Sequence, residues 1–430
     1  MIFLLLILFL ILLFSGTGIV AAMGLPAVAY FIIKGQAINT VAYSFYQTLF
    51  SFGMVAIPMF TLMGNLVTEF GETERAFRYA RAAVKGIKGY SSKIAIILNF
   101  VFAGMSGSSV TSVVGLGPMM CDEMDGEGYD RGYAASLTIA AATVGPVFPP
   151  SIPLLLYATV AGISTTQSLI AGVIPGIVLS GCLFIWVLLT HKRHFTHEPF
   201  VVFEETVPLK KLFIDALPIL IAPFIIIYTM LSGLFSPGEC GAMSAFYMII
   251  LSIIHRTFTW KKLIKCLKST AVTCGSLLVL AVAGGTFTKA LVMEGLGEAL
   301  LALLGPLAHM PIVVLLIINL ILLVMGMFMD SNSALLMITP VVLPITTMLG
   351  YNPLHIGVMI VLNLMIGLST PPFGICLYAV SRAANVASER VIKNVIPLYV
   401  PLMAALALVT FIPAFSTWLP ETIMAFLATK

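Results

Sequence analysis

The sequence predicts an all-α polytopic membrane protein. It is built from two inverted-topology repeats, each with a re-entrant helical hairpin and a broken helix. Three observations predict it. First, 60% of the 430 residues are hydrophobic and only 9% are charged, against roughly 25% charged in a soluble domain. Too little charge remains to coat a globule, so lipid is the solvent for most of the surface. The apolar runs are continuous, as in Ile312 to Met327, which reads as helix and not as the alternation of a transmembrane barrel. Second, one interrupted segment occurs twice. GMSGSS from Gly104 and VGPVFPPSIPLLLYA from Val144 to Ala158 are matched by FMDSNS from Phe328 and IGLSTPPFGICLYA from Ile366 to Ala379. Third, the loops flanking the two copies carry opposite charge.

Taken in order, Met1 to Phe14 lacks Lys and Arg, so it reads as a retained first membrane helix and not as a signal peptide with a positive start. The first repeat covers 1–190, with a hairpin near 95–120 and a broken helix near 133–158. A polar linker, 191–211, follows. The second repeat covers 212–430, with a hairpin near 312–349 and a broken helix near 353–380. Before the first motif, Gly71 to Lys93 carries Arg75, Arg78, Arg81, Lys85, Lys88 and Lys93, whereas Leu291 to Pro311 has no Lys or Arg and holds Glu294 and Glu298. After the motifs the bias reverses: Thr159 to Ser168 has no basic residue, and Ser381 to Lys393 has Arg382, Arg390 and Lys393. Positive loops stay in the cytoplasm, so matching loops fall on opposite sides of the membrane. The linker and Arg256 to Lys268 join the cytoplasmic set. The basic residues of Gly71 to Tyr90 recur at helical spacing, which predicts an amphipathic helix lying in the interface plane. Leu296 to Leu307 is its expected counterpart.

Irregular backbone at membrane depth persists only where it lines protein or water, and a paired interruption in two halves points to a transporter's binding site. Ser106, Gly107, Ser108 and Ser109 form the first interruption. Ser108 or Ser109 can cap the next half-helix, whose N-terminus suits an anion. Asp330, Ser331, Asn332 and Ser333 form the second. Asp330 follows a long apolar run, and an acid at that depth is a functional candidate as cation ligand, proton relay or partner of a base. Each Gly-x-x-x-Pro-Pro element (Gly145 to Pro150, Gly367 to Pro372) removes two backbone donors and frees carbonyls. With Thr143, Ser369 and Thr370 these are hard oxygen ligands of the kind sodium needs. Lys289, inside the apolar run Ser269 to Met293, could meet a substrate carboxylate, pair with Asp330 or snorkel to an interface.

Other features carry less. The six cysteines, Cys121, Cys182, Cys240, Cys266, Cys274 and Cys376, form no Cys-x-x-Cys pair and read as small hydrophobes. His191, His194 and His197 sit in the polar linker and read as a solvated loop. GEGYDRG from Gly126 lacks a nucleotide-loop spacing, and no Walker-type Gly-Lys-Ser/Thr occurs, so the chain has no visible way to use ATP. The net charge of +4 reflects topology and not nucleic-acid binding.

GMSGSSVTSVVGLGP, AATVGPVFPPSIPLLLYA, GMFMDSNSALLMITPVVLP and VLNLMIGLSTPPFGICLYAVS together resemble the large membrane subunit of TRAP (tripartite ATP-independent periplasmic) transporters. AIPMFTLMGNL from Ala56 and the C-terminal FIPAFSTWLPE also fit. The chain departs from the family pattern at Gly71 to Lys93. The resemblance implies sodium-coupled import of an organic acid across the bacterial inner membrane, with no enzymatic step. It implies a periplasmic substrate-binding protein and a small four-helix membrane subunit as partners, and a scaffold plus an elevator-like transport domain. Sodium would lie between each tip and its broken helix, at Ser106, Gly107, Thr143, Gly145 and Pro149 and at Asp330, Ser331, Gly367, Thr370 and Pro371. The substrate carboxylate would lie between the tips, near Ser108, Ser109, Asn332 and Ser333, with Lys289 a further candidate. A stand-alone sodium/dicarboxylate symporter is the alternative. An intramembrane enzyme is a weaker rival, since no catalytic His arrangement stands at membrane depth.

Overall fold

The computed structural model describes residues 2–36, 38–50, 52–84, 89–198, 207–232, 235–296, 299, 310–371 and 373–428. Among these there is no strand, only an isolated bridge between Tyr129 and Phe195. In chain order the helices are α1 (Ile2–Phe14), α2 (Ile19–Ile33), α3 (Ile38–Leu49), α4 (Phe52–Glu69), α5 (Glu72–Ala83), α6 (Tyr90–Ser106) and α7 (Ser109–Gly126). Then come α8 (Arg131–Ala142), α9 (Ile152–Ala161), α10 (Thr165–Ala171), α11 (Val173–Thr190), α12 (Leu209–Leu231), α13 (Pro237–Ile254) and α14 (Trp260–Met293). The chain ends with α15 (Pro311–Phe328), α16 (Ser331–Met348), α17 (Pro353–Leu368), α18 (Ile375–Ala383), α19 (Ser388–Val395), α20 (Tyr399–Phe411) and α21 (Ala414–Ala428). Seven helices are long and apolar enough to cross a membrane, or up to eight if the bent pair α3–α4 counts as one span. This is a multi-pass membrane protein. The segment expected to be a first membrane helix is an apolar helix, α1, whose 13 residues fall short of the roughly 20 that span a bilayer, and it is not among those seven.

Both expected interruptions appear as paired helices. α6 and α7 are separated by Gly107 and Ser108, α15 and α16 by Met329 and Asp330. α8 breaks at Ala142 and resumes as α9 at Ile152; α17 breaks at Leu368 and resumes as α18 at Ile375. Apolar residues surround α8 and α17 on every side, so these helices form the centre: α17 is buried from Leu354 to Leu368 and α8 from Gly132 to Ala142. The two halves interlock. α7 packs on α8 and also on α18, while α16 packs on α17 and also on α9. An outer group, α1 to α4 with α12 to α14, packs mainly within itself. Its outward side chains, such as Phe224, Tyr228, Phe246 and Ile254, are exposed and suit lipid.

Segments expected to be cytoplasmic, at 71–93, in the linker and at 381–393, send polar contacts to the turn at 122–131. Arg131 reaches Asp122 (2.6 Å), Asp125 (3.2 Å) and the Ala384 carbonyl (3.2 Å), and Arg390 lies 3.9 Å from Asp130. Tyr90 and Arg81 reach Glu123 (2.6 and 3.5 Å), and His197 meets Asp125 at 3.2 Å. Nearby, His255 Nδ1 meets the buried Glu72 at 2.9 Å and Lys265 meets Glu69 at 2.8 Å. The amphipathic helix is α5; Lys85 and Lys88, and most of its expected counterpart Leu296 to Leu307, lie outside the described residues. The linker differs from a solvated loop. His194 stacks on Tyr133 with ring centroids 3.7 Å apart, and its carbonyl accepts from Asp130 N at 3.0 Å. Phe195 stacks on Tyr129 with ring centroids 4.2 Å apart, so the described start of the linker, 191–198, docks on the body of the protein. The six cysteines are free.

Candidate functional site

At the first tip the chain must turn between two helices in two residues. Gly107 makes the turn with φ +57, and a Cβ there would lie 2.9 Å from the Pro150 carbonyl oxygen. The tip therefore rests on the Pro-Pro break of its own repeat. Ser108 caps α7, its hydroxyl accepting from Thr111 N at 3.4 Å. The buried Ser109 Oγ donates to the Ala142 carbonyl at 2.8 Å, where α8 ends, and lies 3.6 Å from Met365 Sδ in α17. One hydroxyl thus joins the first tip to both broken helices. Across the break, Thr143 Oγ1 donates to Ala140 O (2.6 Å), and Ser151 caps α9 through Leu154 N (3.1 Å).

At the second tip Asp330 caps α16. Its Oδ2 accepts from Asn332 N (3.1 Å) and Ser333 N (3.3 Å). Two of the orphan donors of the helix start are satisfied by a full charge. Asn332 Oδ1 is buried and without a hydrogen-bond partner among the described residues. In the second break, Ser369 and Thr370 hydroxyls both donate to Ile366 O (2.7 Å each), and Tyr399 OH donates to Ser369 O at 2.7 Å. Gly367 lies against Gly326 of α15: a Cβ on Gly367 would come within 2.7 Å of Gly326 Cα. Glycine at both places lets the two backbones touch.

The two tips open onto one cavity of about 470 Å³, within the range of small-molecule sites. The first tip contributes Gly107, Ser108, Ser109 and Thr111, the second Asp330, Ser331 and Asn332. The breaks contribute Pro146, Ile152, Pro153, Leu368 and Ile375. The first turns of α7, α9, α16 and α18 therefore all face this space. Among the described residues, Asp330 is the single charged side chain in its lining.

Of the expected site residues, Gly107, Ser108, Ser109, Asp330, Ser331 and Asn332 are thus brought together. Thr143, Gly145, Pro149, Gly367, Thr370 and Pro371 lie in the breaks behind the tips, and Gly145 abuts the first: a Cβ there would sit 3.8 Å from the Ser108 backbone. Ser333 meets Asp330 through its backbone only. The Ser106 side chain and Pro372 lie outside the described residues. Lys289 is placed elsewhere. Its ammonium donates to Ser44 Oγ at 3.1 Å and lies 6.0 Å from the Tyr43 ring centroid, so α3 holds it, and it lines no part of the cavity. The rest of the lining comes from Thr61, Gly64 and Asn65 of α4 and Thr273, Ser276 and Leu277 of α14. Sequence reasoning did not select these. Their signal was periodicity: Thr61 and Asn65 at i, i+4, and Thr273 and Ser276 at i, i+3, each put polar groups on one helix face.

A multi-pass helical bundle with one cavity between two interrupted helix pairs has the architecture of a membrane permease. The family described as Tripartite ATP-independent periplasmic transporter, DctM component, matches residues 6–415, and the chain belongs to it. It is 34% identical over 421 residues to the Sialic acid TRAP transporter large permease protein SiaM of Vibrio cholerae, covering 96% of this chain and 97% of that one. It is 30% identical over 442 residues to the C4-dicarboxylate TRAP transporter large permease protein DctM of the same organism, covering 95% of each. Among solved structures it is similar in fold to the YdaH transporter of Alcanivorax borkumensis, with a TM-score of 0.62, 14% identity and 89% of each chain covered.

Proposed function

We propose that this chain is the permease subunit of a sodium-coupled importer of an organic acid in the bacterial inner membrane. In this reading a periplasmic binding protein delivers the acid and a small membrane subunit braces the scaffold. The observation that carries it is the convergence of four helix N-termini on a cavity whose only charged side chain, among the described residues, is Asp330. The N–H groups of these first turns carry partial positive charge, offset by Asp330 and by the C-terminal ends of α6, α8, α15 and α17 at the same tips and breaks, so the attraction for an anion is local to the N–H groups. Backbone N–H groups of these first turns and the hydroxyls of Ser108 and Ser331 would hold the carboxylate.

Sodium enters as the co-transported substrate. Asp330, the unpartnered Asn332 Oδ1 and the carbonyls freed at the breaks are hard oxygens suited to it. A cation bound beside Asp330 raises the field at the anion site, so the two bind cooperatively and each strengthens the other by the same factor. The loaded tips and broken helices then move as one body against α4 and α14, an elevator step driven by differential affinity between its end states. The inverted arrangement of 1–190 and 212–430 is part of the proposal; the gathering of the basic loops supports it. A stand-alone sodium/dicarboxylate symporter is separated by whether uptake into sodium-gradient proteoliposomes needs an added binding protein. Uptake indifferent to the sodium gradient would refute the coupled mechanism.

A further inference from the structure

The α4–α14 wall differs in chemistry from the tips. It presents the Thr61, Asn65, Thr273 and Ser276 side chains and no charge. One edge of the Asn65 amide is fixed, Nδ2 donating to Thr270 Oγ1 at 2.9 Å across the helix pair. The other edge, Oδ1, has no hydrogen-bond partner among the described residues. A side chain anchored at one end with a free polar edge over a cavity is suited to reading a ligand and not to gluing two helices. Because the helix N-termini belong to the tips and breaks, the carboxylate end of an acid goes there. The remainder of the ligand meets the wall. A second carboxylate at the wall would lose hydration against neutral amide and hydroxyl groups, with no cation to offset that cost. A hydroxyl or amide group there would exchange water for Asn65, Thr61 or Ser276 on equal terms. The volume has room for on the order of fifteen waters, more than a four-carbon diacid fills.

We infer that Asn65 is a specificity-determining residue, positioned by Thr270, and that the site selects an acid with one carboxylate and a hydroxyl- or amide-bearing body over a small dicarboxylate. The inference rests on the organic-acid reading above. The purified full chain in saturating sodium, with thermal unfolding followed against gluconate, N-acetylneuraminate, succinate and acetate, tests it. One of the first two should stabilise at concentrations about tenfold below succinate. Asn65→Leu should weaken that acid roughly tenfold and succinate less than twofold. Thr270→Val, which frees the amide without removing it, should give an intermediate loss. Asn65→Lys should shift preference toward succinate by giving its second carboxylate a cation, which places position 65 at the ligand's far end. Succinate binding as tightly as both hydroxylated acids, or Asn65→Leu weakening both classes alike, overturns the inference. A sodium-dependent response to none of the acids overturns the organic-acid reading itself. If Asn65→Leu fails to fold, judged by its unliganded melting, Ser276→Ala on the same wall carries the comparison.

Discussion

Replacing Asp330 with Asn keeps the helix cap and removes the charge. The Asn carbonyl can still accept from Asn332 N and Ser333 N, the bonds that Asp330 Oδ2 makes at 3.1 and 3.3 Å, and Asn caps a helix as well as Asp does. Electrostatics therefore change while folding does not. At an effective dielectric of about 20 and a separation of roughly 8 Å, one unit charge acts on a carboxylate with about 2 kcal/mol, or some thirtyfold in affinity. Two effects follow with opposite sign. Without sodium, the variant should bind the acid more tightly than the wild type by about this factor, because a repelling charge is gone. With sodium, it should gain little, because the cation has lost its charged ligand. Acid affinity measured by titration calorimetry, with sodium and with choline as the replacement cation, resolves both. A variant that binds more weakly in choline and keeps the full sodium effect would refute the assignment of Asp330 as the coupling charge.

Three further changes test the geometry. Gly107→Ala places a Cβ 2.9 Å from the Pro150 carbonyl at φ +57 and should cost about 2 kcal/mol, read as earlier thermal unfolding; unchanged melting would mean the tip does not rest on the break. Lys289→Met should leave acid affinity within twofold, since the ammonium is held by Ser44 and Tyr43; a tenfold loss would return Lys289 to the site. His255→Ala strips the buried Glu72 of its nearest partner, and should cost about 2 kcal/mol, below the 3–5 typical of a broken buried pair because Arg75 stays within 3.8 Å. Faster hydrogen exchange along α5 is the expected signature, and its absence would remove the pair from the docking of that helix.

The parts of the site written in local chemistry were readable before any coordinates. Ser-Gly-Ser-Ser and Asp-Ser-Asn-Ser cannot continue an apolar helix cheaply, and two prolines cannot sit in one, so all four breaks were visible as interruptions. Loop charge located the segments at 71–93, in the linker and at 381–393 that the structure brings to the turn at 122–131. What stayed hidden depends on which helix meets which. Lys289 reveals its depth from its run of neighbours, but not that Ser44 and Tyr43 of α3 take its ammonium. Asn65 reads like any polar residue that ties two membrane helices, and half of its amide does that through Thr270. Its other edge is visible only once the cavity exists. The docking of His194 on Tyr133 likewise joins residues far apart in sequence, and the linker's polarity gave no hint of it.

The interlock of the two halves bears on how this chain can be divided. Each half supplies two of the four helix starts at the cavity, α7 and α9 from one side of the linker and α16 and α18 from the other. Each also lays its second hairpin arm on the far half's broken helix. A half on its own would hold two unpaired helix starts, an uncovered flank on its broken helix, and about half of the field that attracts an anion. Any cut between α9 and α15 leaves each piece a complete tip with its break, whereas a cut between α7 and α8 or between α16 and α17 parts a tip from the break it rests on.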